Sequence, residues 1–294
     1  MKVLVLGASG MLGNAMMTVL SSDPALDVWG TLRQGSARQF FSKELAERLV
    51  SGVDVLDPDA LNAVICKVNP DVVINCIGLI KQLAVAKDPL STLPINSMLP
   101  HRLARLCELS GARLVLVSTD CVFSGRKGAY VESDMSDADD LYGKSKYIGE
   151  VHDQPHVVTL RSSIIGHEIS THFALVDWFL SQRGRVKGFQ KAIYSGFPTV
   201  VLADIIKRYV LPNPNLNGLY HVASNPISKF ELLGIVNEVY GRDVEIIPDD
   251  AVVIDRSLNG TKFSHETGFV SPSWKELIET MHSDWLEHHH QSGQ

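Results

Sequence analysis

Val3-Leu4-Val5-Leu6 runs straight into Gly7-Ala8-Ser9-Gly10-Met11-Leu12-Gly13, and a helical pattern follows from Met11 to Leu20. A short, uncharged, β-branched run ending in glycine reads as a buried strand and its turn. In G-x-x-G-x-x-G between strand and helix, the first glycine permits the tight turn. The second lets the backbone approach a pyrophosphate, and the third lets the helix pack closely. The helix N-terminus adds unpaired N–H groups and positive potential. Gly7, Ser9, Gly10, Met11, Leu12 and Gly13 are therefore candidates for holding a dinucleotide. A ligand-free glycine turn is the alternative, and the strand before and helix after weigh against it.

Outward from this turn, apolar runs alternate with helical patterns. The runs are Val28 to Thr31, Val53 to Val55, Val72 to Asn75, Arg113 to Val117 and Val157 to Leu160; the helical segments are Pro58 to Lys67, Ile95 to Leu109 with Pro100 inside it, and Asp140 to His152. This alternation predicts an α/β protein with a doubly wound parallel sheet. The second half breaks the rhythm, with helices expected at Phe173 to Ser181, Val201 to Val210, Lys229 to Tyr240 and Trp274 to Trp285. The expected organisation is a dinucleotide-binding domain over residues 1–165, completed by about 192–225, and a smaller C-terminal substrate-binding lobe from 166–191 and 226–294.

A chain of 294 residues with 45% hydrophobic residues can bury a full core. Its net charge of -6 carries no basic stripe, so nucleic acid and anionic membrane are not expected partners. No uncharged run approaches the ~20 residues of a membrane span. The cysteines Cys66, Cys76, Cys107 and Cys121 lack C-x-x-C spacing and read as buried thiols, which fits a cytoplasmic protein. No metal site is expected, and the tail histidines His288 to His290 resemble a purification-tag junction.

Three further places bear on a cofactor. The second strand ends Thr31-Leu32-Arg33, where an NAD-selective site would place an acid; Arg33 offers a fork of donors to a 2′-phosphate and favours NADPH over NADH. A solvated loop arginine is the alternative. Asp54, at the expected end of the third strand, is placed for an adenine amino group or for a turn. Asn75-Cys76-Ile77-Gly78 ends the fourth strand, where Gly78 would admit close backbone approach.

Tyr142 and Lys146 stand four apart in Tyr142-Gly143-Lys144-Ser145-Lys146, on one face of a helix capped by Asp139 or Asp140, with Lys144 pointing elsewhere. A ketone taking hydride needs a proton donor, and a neighbouring ammonium would lower the phenol's pKa. The strand Arg113 to Val117 delivers Ser118-Thr119-Asp120 at the carboxyl end of the sheet, so that Thr119 can hold the reacting oxygen beside Tyr142.

These blocks resemble the extended short-chain dehydrogenase/reductases of Rossmann fold, and among them the dTDP-4-dehydrorhamnose reductase type. The matching stretches are GASGMLG, NCIG, INSMLPHRLARLCE, VSTDCVFSGRKGAYVESD, YGKSKYIGE, LRSSIIG, GFPT followed by Asp204, and GLYHVAS. The resemblance implies Thr119, Tyr142 and Lys146 as the catalytic set. It implies cofactor contacts at the three glycines, Asp54, Gly78, Lys146 and Arg161-Ser162-Ser163, with Asn96 near the site. Cys76 and Ile77 complete the candidate cofactor set. The family's Asp-Gln pair before G-x-P-T is replaced here by Ile193-Tyr194-Ser195, so a dTDP-4-dehydrorhamnose-like and a UDP-N-acetyl-deoxyhexulose-like substrate are both open. Lys81, Arg183, Arg185, Lys187 and Lys191 are candidates for the sugar diphosphate.

The expected function is NADPH-dependent reduction of a 4-keto nucleotide-activated deoxysugar, with a homodimer open to it. The alternatives are a nucleotide-sugar epimerase that retains its cofactor and a non-catalytic NADP-binding regulatory subunit.

Overall fold

The computed structural model describes residues 1–80, 84–169 and 174–291. Its first half supplies six parallel strands: β1 (Lys2–Leu6), β2 (Asp27–Leu32), β3 (Leu49–Ser51), β4 (Val72–Asn75), β5 (Arg113–Thr119) and β6 (Val157–Ser162). A seventh, Gly218–His221, pairs in parallel with β6, giving the order Gly218–His221, β6, β5, β4, β1, β2, β3. Strand order reverses beside β1, which pairs with β2 on one side and β4 on the other. Ligands of open α/β sheets bind in the crevice outside the carboxyl ends at such a switch point. Gly7 and Cys76–Gly78 lie at those ends.

Both faces of the sheet are covered, which the alternating side chains of β1 show directly. Val3 and Val5 pack with Leu12, Met16, Met17 and Leu20 of the first helix, α1 (Met11–Ser21), and with Leu202 and Ile206. Leu4 and Leu6 pack on the other side with Leu61, Val64, Ile65 and Val68, and with Leu99, Leu103 and Cys107. Each such buried side chain stabilises the fold by ~1.5–3 kcal/mol. The helix Pro58–Val68 shows why its sequence stops and starts where it does. Asp57 accepts from Asp59 N–H, Pro58 occupies a first-turn position that needs no donor, and Asn69 closes it at φ 50°.

Four expectations are corrected. The third strand is Leu49–Ser51, not Val53 to Val55: Gly52 takes φ 80° and turns the chain, leaving Val53 and Val55 as buried side chains on a loop. The helix expected over Ile95 to Leu109 is a longer continuous run, in which a π-helical turn, Leu93–Met98, leads into the α-helix Leu99–Ser110. The helix expected over Asp140 to His152 is Leu141–Ile148, because Asp140 is extended as its N-cap and Gly149 closes it as its C-cap; Gly149 packs so close to Asn96 that a Cβ there would fall 2.0 Å from the Asn96 carbonyl oxygen. Cys66 is exposed on the outer face of Pro58–Val68 rather than buried; Cys107 is buried, and Cys76 and Cys121 are half-buried.

The second half adds the helices Leu175–Ser181, Lys229–Val239 and Trp274–Gln291. Phe173, where the first of these was expected to begin, lies outside the described residues. Short strands supplement them: Arg185–Phe189 pairs with Glu245–Asp249, and Ala192–Tyr194 lies between Ile227–Ser228 and Ile254–Asp255. Among the described residues no helix is long and apolar enough to cross a membrane.

Candidate active site

The glycine turn is built by contacts that larger residues would forbid. Gly7 has φ 83°, and its N–H donates to Thr31 Oγ1 at 3.1 Å. A Cβ on Gly13 would lie 2.0 Å from the Gly7 carbonyl oxygen, so the third glycine lets α1 seat directly on the turn. Helix α1 starts after Gly10 with no side-chain cap and no acid in its first turn. Its leading N–H groups and positive end are left for an anion. Ser9 and Gly10 are exposed there and Met11 is half-buried, whereas the Leu12 side chain belongs to the core, so Leu12 can offer only its backbone.

Across the crevice, Gly78 faces Asn96 and Lys146: a Cβ there would stand 3.5 Å from Asn96 Oδ1 and 3.9 Å from Lys146 Nζ. Cys76 lies close enough to Lys146 to feel its charge, yet burial pushes the thiol up to about 12. Ile77 N–H donates to Asn75 Oδ1, which shapes the strand end. Asn96 departs from the expected role. Its amide donates to Leu79 O at 3.1 Å and Ser145 Oγ at 3.2 Å and accepts from Leu79 N–H at 2.9 Å. Buried, with both amide N–H groups used, it ties the Gly78 loop to the helix bearing Tyr142.

Asp140 caps the helix Leu141–Ile148 by accepting from Gly143 N–H at 2.8 Å. Gly143 lets that helix press on the chain after β5, since a Cβ there would lie 2.2 Å from Cys121 O. Thr119, Tyr142 and Lys146 are thereby brought together. Lys146 Nζ donates to Val117 O at 2.9 Å, and burial pulls its pKa down to about 8 against the opposing charges of Glu150 and Cys76. Burial pushes the Tyr142 phenol above its ordinary range, Cys121 acts in the same direction, and the Thr119 hydroxyl acts against it. The groups that shift the phenol are its burial, Cys121, Thr119, Asp120 and Asp140, and Lys146 is not among them.

Arg161 also departs from expectation. Its side chain is 2% exposed and turned inward, with Nε on Glu150 Oε1 at 2.8 Å and Nη2 on Glu150 Oε2 at 2.7 Å. Its Nη1 donates to His221 Nε2 at 3.2 Å, which places the histidine proton on Nδ1, facing Tyr130 O at 3.0 Å. Burial and the Arg161 charge pull the His221 pKa down to about 3. The Arg161 side chain is thus a brace beneath the site, leaving only its backbone for a ligand. Ser163, two residues on, is half-buried at the crevice.

The remaining cations divide. Arg33 is exposed directly after β2. Arg185, Lys187 and Lys191 are exposed and pair with Glu245, Asp249 and Asp250 at 2.6, 2.9 and 2.8 Å. Arg183 is exposed next to that strand, and Lys81 lies outside the described residues. Asp54 is exposed on its loop; one carboxylate oxygen accepts from Leu56 N–H at 2.9 Å, so the turn role is real and the other oxygen stays available.

Three residues not anticipated from the sequence crowd the catalytic strand end. Asp120 is 6% exposed, and Thr119 Oγ1 donates to its Oδ1 at 3.1 Å. Arg256 anchors its Nε on Phe123 O at 2.8 Å and directs its charge at Asp120. The Tyr194 hydroxyl is buried and has no hydrogen-bond partner among the described residues. Asp120 could have been found from its place after Thr119; Arg256 sits far along the chain in a segment with no local signal. Among the described residues no group of three or more His, Cys, Asp or Glu side chains is arranged for a metal ion.

A family model described as the RmlD substrate binding domain matches residues 1–286. Methionine adenosyltransferase 2 subunit beta of Danio rerio is 32% identical over 254 residues, covering 81% of this chain and 74% of its own. The dTDP-4-dehydrorhamnose reductase of Streptomyces griseus is 31% identical over 148 residues, 50% of this chain and 43% of its own. The crystal structure of dTDP-4-dehydrorhamnose reductase from Bacillus anthracis in complex with NADP superposes with a TM-score of 0.77 at 24% identity, covering 96% of this chain and 99% of that one, and so shares the fold.

Proposed function

The chain belongs to the RmlD substrate binding domain family, and from that premise we propose that it is an NADPH-dependent ketoreductase. Its substrate is the 4-keto group of a nucleotide-activated deoxysugar, dTDP-4-dehydrorhamnose-like or UDP-N-acetyl-deoxyhexulose-like, in surface-polysaccharide sugar biosynthesis. The observation that carries this reading is the meeting of Thr119, Tyr142 and Lys146 at the carboxyl end of β5, across the switch-point crevice from the Gly7–Gly13 turn.

The residues fit a dinucleotide. The uncapped start of α1 suits a pyrophosphate, the space a Cβ would fill at Gly78 suits close approach beside Lys146, and Arg33 and the open oxygen of Asp54 suit the adenosine end. Bound there, the reduced nicotinamide supplies the hydride. Tyr142 supplies the proton: a buried phenol that keeps its proton at neutral pH is a donor in the right protonation state for reduction. Thr119 holds the reacting oxygen beside that phenol. Lys146, fixed on Val117 O and beside Gly78, keeps further N–H donors that would be free to hold the cofactor ribose.

The test follows absorbance of the reduced nicotinamide with a panel of 4-keto nucleotide sugars. Consumption of NADPH with at least one, lost in Tyr142→Phe, supports the proposal; no consumption with any of them counts against it. Retained NAD with no net consumption would mark an epimerase. A second reading, a non-catalytic subunit, draws on the likeness to methionine adenosyltransferase 2 subunit beta. It would be favoured by co-purification with a methionine adenosyltransferase in which Tyr142→Phe changes nothing.

A further inference from the structure

A threonine hydroxyl has one proton to give. Thr119 Oγ1 accepts from Cys121 N–H at 3.1 Å and donates its proton to Asp120 Oδ1 at 3.1 Å. A hydroxyl committed to a carboxylate cannot at the same moment donate to a ketone oxygen or a phenolate, yet the reduction proposed above asks that of Thr119. The geometry therefore sets a condition on Asp120.

We propose that Asp120 is a positioning residue for the reduction: as the neutral acid it donates to Thr119 Oγ1 and frees the Thr119 hydroxyl for the reacting oxygen or, in turn, the Tyr142 phenolate, and as the carboxylate it takes that hydroxyl away. This rests on the ketoreductase reading. The protons balance. Tyr142 loses its O–H proton to the alkoxide formed by hydride addition, Thr119 passes its proton to the phenolate, and Asp120 passes its own to Thr119. One O–H bond is lost at Asp120 and one is gained by the product alcohol. Solvent returns the proton to Asp120 after product leaves.

The surroundings of Asp120 are suited to such a switch. It lies on the turn Asp120–Val122 and is 6% exposed. Thr119 and Cys121 face it from its own turn, Ser163 from the end of β6, Arg256 from the C-terminal segment, and the Tyr142 and Tyr194 phenols from across the site. Burial raises the carboxyl above the usual range while the Arg256 guanidinium pulls it back. The buried Tyr194 hydroxyl is close enough to Asp120 to feel its charge and also faces Ser163, and Tyr194 stands where the family's acid-amide pair is missing.

Two variants and two readouts decide it. Asp120→Asn keeps the shape but holds no transferable proton; Arg256→Met removes the cation facing it. With NADPH and dTDP-4-dehydrorhamnose as probe, wild-type kcat should fall as pH rises through the Asp120 titration. Asp120→Asn should abolish that fall and lower kcat roughly 10- to 100-fold with KM little changed. Arg256→Met should move the fall to higher pH. Infrared spectra of the protein alone should show a neutral buried carboxyl that is absent in Asp120→Asn and persists to higher pH in Arg256→Met. Wild-type kcat and pH profile in Asp120→Asn, or no neutral carboxyl at any pH where the protein is folded, overturns the proposal. If no nucleotide sugar is reduced, the infrared result still decides the state of Asp120, so the two readings fail separately.

Discussion

Arg161 and Glu150 are joined twice inside the protein, Nε to Oε1 at 2.8 Å and Nη2 to Oε2 at 2.7 Å, with side chains only 2% and 1% exposed. Ser118 adds a third bond, from Oγ to Glu150 Oε1 at 2.6 Å, one residue before Thr119. The pair thus links β6, the end of β5 and the chain leaving the Tyr142 helix. Removing one partner of a buried pair costs about 3–5 kcal/mol, because the other charge is stranded. Glu150→Ala and Arg161→Ala should each lose stability in that range in urea titrations, and the double variant should lose less than their sum. Simple additivity would show that the two do not act as a unit.

His221, held neutral with its pKa near 3, makes a pH prediction. In the unfolded chain the imidazole takes a proton below pH ~6.5, and in the folded protein it does not. Its contribution to stability is therefore complete above pH ~6.5 and is lost progressively as pH falls toward 3. Compared with His221→Asn, which has nothing to titrate there, the wild type should lose an additional ~2 kcal/mol between pH 6.5 and 5. Parallel stability curves for the two proteins would contradict this.

Lys146 carries the opposite lesson, since its charge is a cost. Its folded pKa of about 8 lies below the unfolded ~10.4, so the cost is complete below pH 8 and is relieved as pH rises toward 10.4. Lys146→Met should abolish reduction and yet melt roughly 2–4 °C higher than wild type at pH 7, as ~1 kcal/mol implies for a chain of this size. That difference should shrink at pH 9. A variant that melts lower at pH 7 would show that the bond to Val117 O outweighs the burial.

Gly13 and Gly52 separate two kinds of glycine requirement. Gly52→Ala meets open space and only the strain of φ 80°, so it should cost about 1 kcal/mol and leave dinucleotide binding intact. Gly13→Ala drives a methyl group to 2.0 Å from the Gly7 carbonyl. It should destabilise by several kcal/mol and abolish NADPH binding, followed by the fluorescence of the bound nicotinamide. Normal binding in Gly13→Ala would remove the turn from the cofactor site.

The sheet was legible because parallel strands buried on both faces announce themselves as apolar runs, and Val3–Leu6, Val72–Asn75 and Arg113–Val117 all do. The edge strand Leu49–Ser51 was misplaced because the apolar Val53 and Val55 beyond Gly52 mimic one. Within the site, spacing could place Tyr142 and Lys146 on one helix face, since that is local geometry. It could not show which polar side chains turn inward. Arg161 and Asn96 sit in the expected places but spend their donors on Glu150, His221, Leu79 and Ser145. Arg256 reaches Asp120 only through the tertiary fold.

The strand Gly218–His221 has a consequence for how the protein is made. It covers the flank of β6, but it follows β6 by 55 intervening residues. On a ribosome adding roughly 5–20 residues per second, the open side of β6 waits about 3 to 11 seconds for its neighbour. During that interval the nascent sheet presents unpaired N–H and C=O groups to any other strand nearby. Slow synthesis or crowding of nascent chains is therefore the circumstance in which this protein is most exposed to mispairing, whatever the stability of the finished fold.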